Sequence, residues 1–220
     1  MTPTASLADA LAGARLVLLA VPSHGLRAVV SAAAPALAEG AVLVSATKGL
    51  ETESLRRMSE VVTEETRGRH PIVVLSGPSF ASEVVRRQPT ALVVASADEA
   101  ACRLVQQELR SASLRLYGSD DVAGVEVGAA LKNIIAIAAG VTESMHLGHN
   151  AMAALITRGL AEITRLGVAS GADLLTFQGL AGVGDAIATS YSPRSRNRRL
   201  GELLGGGASL EDALAAIGET

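Results

Sequence analysis

Gly179-Leu180-Ala181-Gly182-Val183-Gly184-Asp185 puts a carboxylate at the end of a glycine-rich turn, and Ser195-Arg196-Asn197 follows ten residues later. The second group presents a hydroxyl, a guanidinium and an amide at a helix start, with Pro193 just ahead of it. Charge, a bidentate fork and free backbone N–H groups at a helix N-terminus are what a phosphate requires. Arg194, Arg196, Arg198 and Arg199 gather in the same stretch, either as a local anion site or as one solvated helix face. Upstream, Lys132-Asn133 interrupts an apolar run from Ala129 to Ala136. Burial disfavours an ammonium and moves a lysine toward use as a general base. A nearby carboxylate, for which Asp185 is the candidate, would raise it again and orient it. The bland alternatives are a lysine that snorkels to the helix rim and an aspartate that only caps a helix. Thr189, four residues after Asp185, would share its helix face, and Asn133 can bond either a substrate hydroxyl or a backbone group. These features suggest an enzyme acting on a small phosphorylated substrate.

Such residues need a scaffold, and three more polar sites lie where a sheet would hold them. Val21-Pro22-Ser23-His24, Thr47-Lys48-Gly49 and Ser76-Gly77-Pro78-Ser79-Phe80-Ala81 each follow a short apolar run. The carboxyl ends of strands are where open α/β sheets place their ligands. Pro22 would stop the first strand and Ser23 cap the next helix, which is either a plain turn or a cofactor contact; His24 reads as a loop residue. Lys48 is either an exposed loop lysine or an ammonium aimed into a cleft. Gly77 would let a ligand approach the backbone, Ser79 could cap a helix and donate to an oxyanion, and Ala81 leaves room for a flat ring.

The patterning predicts strands over residues 15–21, 41–46, 71–75, 91–95 and 114–117. Helices are expected over 23–37, 53–65, 80–86 and 99–110, with a helix and loop in residues 1–13. Short continuous apolar strands separated by helices indicate an α/β fold: a partial Rossmann-like, doubly wound, mostly parallel sheet. Beyond Gly118 only helices are expected, over 122–145, 151–166, 180–189 and 196–204, with an unfinished one at 213–217. The predicted division is an α/β domain over 1–118, lacking its first β-α-β part, and an all-α domain over 119–220, incomplete at its C-terminus.

The 220 residues carry a net charge of -3, with a pI near 5.8. That balance argues against a nucleic-acid partner or a membrane-surface binder. The run from Val122 to Val141 is apolar, but Glu126, Lys132 and Asn133 make it a buried helix rather than a membrane span. Cys102 is the lone cysteine, so a reducing, cytoplasmic setting is expected. No metal site is expected: His146 and His149 lack a carboxylate partner.

The chain resembles the bacterial NAD(P)-dependent glycerol-3-phosphate dehydrogenases. The similar segments, in family order, are Ala20-Val21-Pro22-Ser23-His24, Thr47-Lys48-Gly49-Leu50-Glu51, and Ser76 to Ala81 with Pro89-Thr90-Ala91. They continue through Gly124-Val125-Glu126, Leu131 to Ala136, Thr157-Arg158-Gly159-Leu160, Thr176 to Asp185 and Ser195-Arg196-Asn197-Arg198. The resemblance implies hydride exchange between NAD or NADP and a three-carbon phosphate, dihydroxyacetone phosphate to sn-glycerol 3-phosphate, supplying phospholipid synthesis. It implies Lys132 as the catalytic acid and base. It implies substrate contacts from Lys48, Gly77, Ser79, Lys132, Asp185, Ser195, Arg196 and Asn197, and cofactor contacts from Ala81 and Arg196; the placement read above adds Asn133 and Thr189 to the candidate substrate contacts and Pro22 and Lys48 to the candidate cofactor contacts. A homodimer is compatible with it. The chain departs from the family in three places. No Gly-x-Gly-x-x-Gly turn precedes residue 15, so roughly sixty residues of opening β-α-β units are expected ahead of it. Residues 142–150 lack an acidic glycine-rich turn, and Ala186 stands where leucine is usual. A non-catalytic phosphate-binding remnant, or a sister dehydrogenase for another small acid, stays open as an alternative reading.

Overall fold

A computed structural model of the chain describes residues 3–218. The expectations for Met1, Thr2 and residues 219–220 fall outside it. After a short helix α1 (Leu7–Leu11), strand β1 (Leu16–Leu19), helix α2 (Ser23–Ala33), strand β2 (Val42–Ser45), helix α3 (Met58–Glu65) and strand β3 (Ile72–Ser76) follow in alternation. Then come α4 (Ala81–Val85), β4 (Thr90–Ala95), α5 (Glu99–Leu109) and β5 (Leu114–Ser119). The strands lie side by side in chain order. β1, β2 and β3 are parallel, β4 and β5 are parallel, and β3 meets β4 antiparallel.

The mostly parallel sheet expected from alternation is thus present, with one antiparallel pairing whose place the patterning did not give. The five-residue α4 is too little chain to cross a sheet face and return in the same sense. The carboxyl ends of β1, β2 and β3 therefore share one edge, and those of β4 and β5 point the other way.

Strand side chains alternate between the sheet's two faces. On one face Leu19 and Leu43 pack with Leu26 and Val30 of α2 and Met58, Val61 and Val62 of α3. On the other, Val42, Val44, Val73 and Val94 meet Ala101, Cys102 and Val105 of α5. Helix α3 starts five residues later than its periodicity suggested. A Leu50–Arg57 bridge and Leu55 at φ 57° keep the preceding segment in a turn, and the Arg57 N–H donates to Glu60 Oε2 at 2.8 Å.

Beyond the sheet lie α6 (Val122–Ser144), α7 (Gly148–Ala169), α8 (Leu174–Gln178), a π-helical turn (Leu180–Gly184), α9 (Asp185–Tyr191), α10 (Arg196–Gly205) and α11 (Leu210–Ile217). The single helix expected over 180–189 is thus a π turn followed by α9, and α8 had left no pattern long enough to read. Helix α6 has the length and apolar composition of a membrane span, yet more than half of it is buried within the fold. Val127, Ile135 and Ala139 pack against Met152, Ile156 and Ile163 of α7 and against Phe177.

Helices α6 and α10 cross with their backbones in close approach. A Cβ on Gly201 would collide with the Ile137 carbonyl, and one on Gly140 with the Arg198 carbonyl. Gly201→Ala should therefore lower the urea midpoint by the equivalent of about 3 kcal/mol, the upper end of overpacking costs. An unchanged midpoint would mean that the crossing relaxes freely.

Candidate active site

The edge formed by the ends of β1, β2 and β3 borders a cleft of about 640 Å³. Ala20, Val21, Pro22 and Ser23 line it from β1, Ala46, Thr47 and Lys48 from β2, and Ser79, Phe80 and Ala81 from the β3 end. Lys132, Asp185, Thr189 and Arg196 close it from the helical side. A larger groove of about 810 Å³ between α5 and β5 is lined by Arg103, Arg110 and Arg115. It shares no residue with the cleft and holds neither lysine.

At the cleft's centre one carboxylate joins two amines. Lys132 Nζ donates to Asp185 Oδ1 at 2.8 Å, and Lys48 Nζ to Asp185 Oδ2 at 2.7 Å. Lys132 also donates to the Thr189 hydroxyl at 2.6 Å, which in turn donates to the Asp185 carbonyl at 2.7 Å. Lys48 also donates to the Gly77 carbonyl at 2.9 Å. An ammonium has three protons, so each lysine keeps one for a ligand in the cleft. The chain has 17 arginines and two lysines, and both lysines are here. A guanidinium cannot release its proton in a protein, whereas an amine can.

Local sequence explains the placement. Lys132 and Asp185 are buried because their neighbours on α6 and α9 are apolar. The π turn ends at Gly184, which takes the N-cap position of α9 and leaves the Asp185 side chain free for the lysines rather than for capping. Gly77 sits at φ 121°, and a Cβ there would press on Leu92; glycine lets the chain turn and present its carbonyl to Lys48. The loop after Lys48 is fastened to α2 by a fork from Arg27 to Glu51, at 2.7 and 2.8 Å. That fork holds the Glu51 carboxyl down at about 2. The Thr47 hydroxyl donates to the Val21 carbonyl at 2.8 Å, joining two strand ends.

The Lys132 ammonium is destabilised first by its burial and then by the positive charge of Lys48, while Asp185 opposes both. The net effect holds its pKa below the usual lysine value. Glu126, on the same helix, is pushed up by burial. It accepts from the Ser59 N–H at 2.8 Å and the Ser59 hydroxyl at 2.5 Å, with Arg57 at 3.3 Å.

Other expected contacts are placed differently. Of the four clustered arginines, Arg196 lines the cleft, while Arg194 pairs with Glu83 at 2.6 Å and Arg198 with Glu202 at 2.8 Å. The cluster is therefore not one anion site. Ser195 is buried and accepts from the Arg198 N–H, capping α10. Asn133 and Asn197 are half-buried and outside the cleft lining. Ser79 donates to the Gly77 carbonyl at 3.2 Å, and Phe80 rather than Ser79 takes the α4 N-cap. Likewise Pro22, not Ser23, precedes α2 as its N-cap. Sequence reasoning passed over Ser59 and Arg57, whose distance from the charged interruption in α6 gave no signal.

Known proteins match this chain over nearly its whole length. The family models described as NAD-dependent glycerol-3-phosphate dehydrogenase N-terminus and C-terminus match residues 1–102 and 121–220. Glycerol-3-phosphate dehydrogenase [NAD(P)+] of Moorella thermoacetica is 51% identical over 98% of this chain and 64% of its own length. A Mycobacterium tuberculosis relative, glycerol-3-phosphate dehydrogenase [NAD(P)+] 2, is 51% identical over 96% and 63%. The crystal structure of glycerol-3-phosphate dehydrogenase from Coxiella burnetii superposes with a TM-score of 0.93 at 40% identity, covering 98% of this chain and 66% of that one. A Dunaliella salina structure gives 0.86 at 26% identity, covering 95% and 37%. The chain spans just under two thirds of the length of the curated relatives it matches. It belongs to the NAD-dependent glycerol-3-phosphate dehydrogenase family.

Proposed function

We propose that the chain carries the substrate-handling machinery of an NAD(P)-dependent glycerol-3-phosphate dehydrogenase, interconverting sn-glycerol 3-phosphate and dihydroxyacetone phosphate. The observation that carries this reading is the Lys48–Asp185–Lys132 cluster in the strand-end cleft. Three cations and one carboxylate line that cleft. Their excess of two positive charges matches a phosphate monoester, which carries about -1.5 to -2 at neutral pH.

In this reading Arg196 and Lys48 hold the phosphate end and orient the three-carbon body against Lys132. In oxidation the neutral Lys132 amine takes the proton from the C2 hydroxyl; in reduction its ammonium returns one to the C2 oxygen. Asp185 and Thr189 fix the Lys132 amine by two hydrogen bonds, so the proton is delivered along one direction. A nicotinamide fits the same edge. Ala20, Ala46 and Ala81 keep it low, and Pro22 and Arg196 flank it. When bound, the cofactor supplies or accepts the hydride at C2. The residues that would cradle its pyrophosphate on a glycine-rich turn are not among those described. We further infer the division into residues 1–118 and 119–220, a cytoplasmic setting supported by the lone buried thiol of Cys102, and a role in supplying phospholipid synthesis.

The test follows NAD(P)H absorbance with dihydroxyacetone phosphate, with calorimetry of substrate binding in parallel. Consumption that requires the phosphate, and is not reproduced with dihydroxyacetone, supports the reading. Equal binding of the phosphate and the free ketone would overturn it. Arg196→Ala should raise the substrate concentration needed for half-saturation about 10–100-fold, the loss expected for a charged hydrogen bond, with a smaller effect on maximal rate. A fall in maximal rate alone would remove Arg196 from the phosphate site.

A further inference from the structure

Glu126 is the second charged interruption of α6, roughly 9 Å along the helix from Lys132. It takes no part in the reaction proposed above and lies outside the cleft lining. An ionisable carboxyl that is 4% exposed in an apolar helix is costly, and its partners identify what it does there. Every hydrogen bond described for Glu126 runs to the first residues around α3: the Ser59 N–H, the Ser59 hydroxyl and Arg57. The Ser59 N–H belongs to the first turn of α3, where backbone donors lack helical partners and favour a carboxylate.

The segment Thr47 to Arg57 runs from Lys48 to the start of α3, so the chain that carries Lys48 is anchored at its far end by Glu126. It closes on itself through the Leu50–Arg57 bridge and the bond from the Glu51 N–H to the Arg56 carbonyl. Lys48 and Lys132 come from different layers of the fold and must meet one carboxylate within about a hydrogen bond's tolerance. Helix α6 carries one of them, and Glu126 ties that helix to the segment carrying the other.

We propose that Glu126 is a positioning residue that holds the two lysines in register on Asp185 by bracing α6 against the Lys48 segment. The proposal rests on the functional reading above, but its first readout does not. Lys48 and Lys132 are the chain's only lysines, so competitive acetylation with acetic anhydride, read by mass spectrometry against the α-amino group, reports on this site alone.

In Glu126→Ala the Lys132 labelling rate should rise about tenfold, as for a site that opens locally more often. kcat should fall roughly 10–100-fold, the cost of a misplacement on the order of 1 Å, while KM for dihydroxyacetone phosphate rises by a smaller factor than kcat falls, because Arg196, one of the two proposed phosphate contacts, is untouched. Glu126→Gln keeps an acceptor for the Ser59 N–H and a polar partner for its hydroxyl, and should restore labelling and kcat to within about threefold of the parent. If Glu126→Ala does not fold, Ser59→Ala removes one arm of the brace and should move labelling and kcat in the same direction by a smaller factor. Unchanged Lys132 labelling in the Ala variants, or equal impairment of the Ala and Gln variants, overturns the proposal. If the parent chain binds dihydroxyacetone phosphate no better than dihydroxyacetone, the functional reading fails while the labelling result still decides the role of Glu126.

Discussion

If the proposed function holds, Lys132→Arg should leave a protein that binds dihydroxyacetone phosphate but turns it over about 10²–10⁴-fold more slowly, the range general acid–base catalysis supplies. The exchange keeps the positive charge and the capacity to donate to Asp185 and Thr189, so attraction for the phosphate persists. It removes the ability to exist as a neutral amine, since arginine stays protonated at any workable pH. Lys132→Ala should lose turnover as well, and there an added alkylamine should restore part of it by occupying the vacated volume. The parent's pH dependence follows from the same amine. Burial and Lys48 set its pKa below the ordinary lysine value, so the oxidation rate should rise with pH through a point lower than that of a free lysine. The reduction rate, which needs the ammonium, should fall through the same point. An arginine variant that keeps more than about a tenth of the parent turnover would take Lys132 out of the proton transfer.

Lys132 and Asp185 were legible in the sequence because each is a charge amid apolar neighbours, a placement that burial makes expensive without a partner. Their pairing could be guessed because both needed one. Lys48 could be located at a strand end but not matched to Asp185, since 137 residues separate them and only the packing of helix against sheet edge brings them together. The arginines failed for a related reason. Clustering says nothing about where a helix begins or how it is phased: Arg194 lies in the turn before α10 and pairs with Glu83, while within α10 Arg198 pairs with Glu202 and Arg196 lines the cleft. Strand direction was equally hidden: an apolar β4 reads the same in either sense, and only the shortness of α4 decides it. Glu126 was visible as a charge in α6, but Ser59, an ordinary serine in a helical pattern, gave no sign of being its partner.

Asp185→Asn should cost about 3–5 kcal/mol of stability at neutral pH, the penalty of breaking a buried ion pair from one side, and should abolish most turnover. The carboxylate and Lys132 are both more than nine-tenths buried, and Lys48 is three-quarters buried at the side chain. Asparagine fills nearly the same space, so the loss is electrostatic: two ammonium groups remain beside one another without the charge that separates them. Asp185 is also what holds the Lys132 pKa up against burial and Lys48, so in the variant that pKa falls further. The unfolded lysine then binds more protons than the folded one over a wider pH range, and stability rises with pH wherever that holds. The deficit of Asp185→Asn relative to the parent should accordingly shrink as pH is raised, because Lys132 becomes neutral and the clash with Lys48 disappears. Urea midpoints measured across pH give the sign directly. A deficit that stays flat would mean that asparagine had broken packing or hydrogen bonds alone, and the two amines would not be electrostatically joined through Asp185.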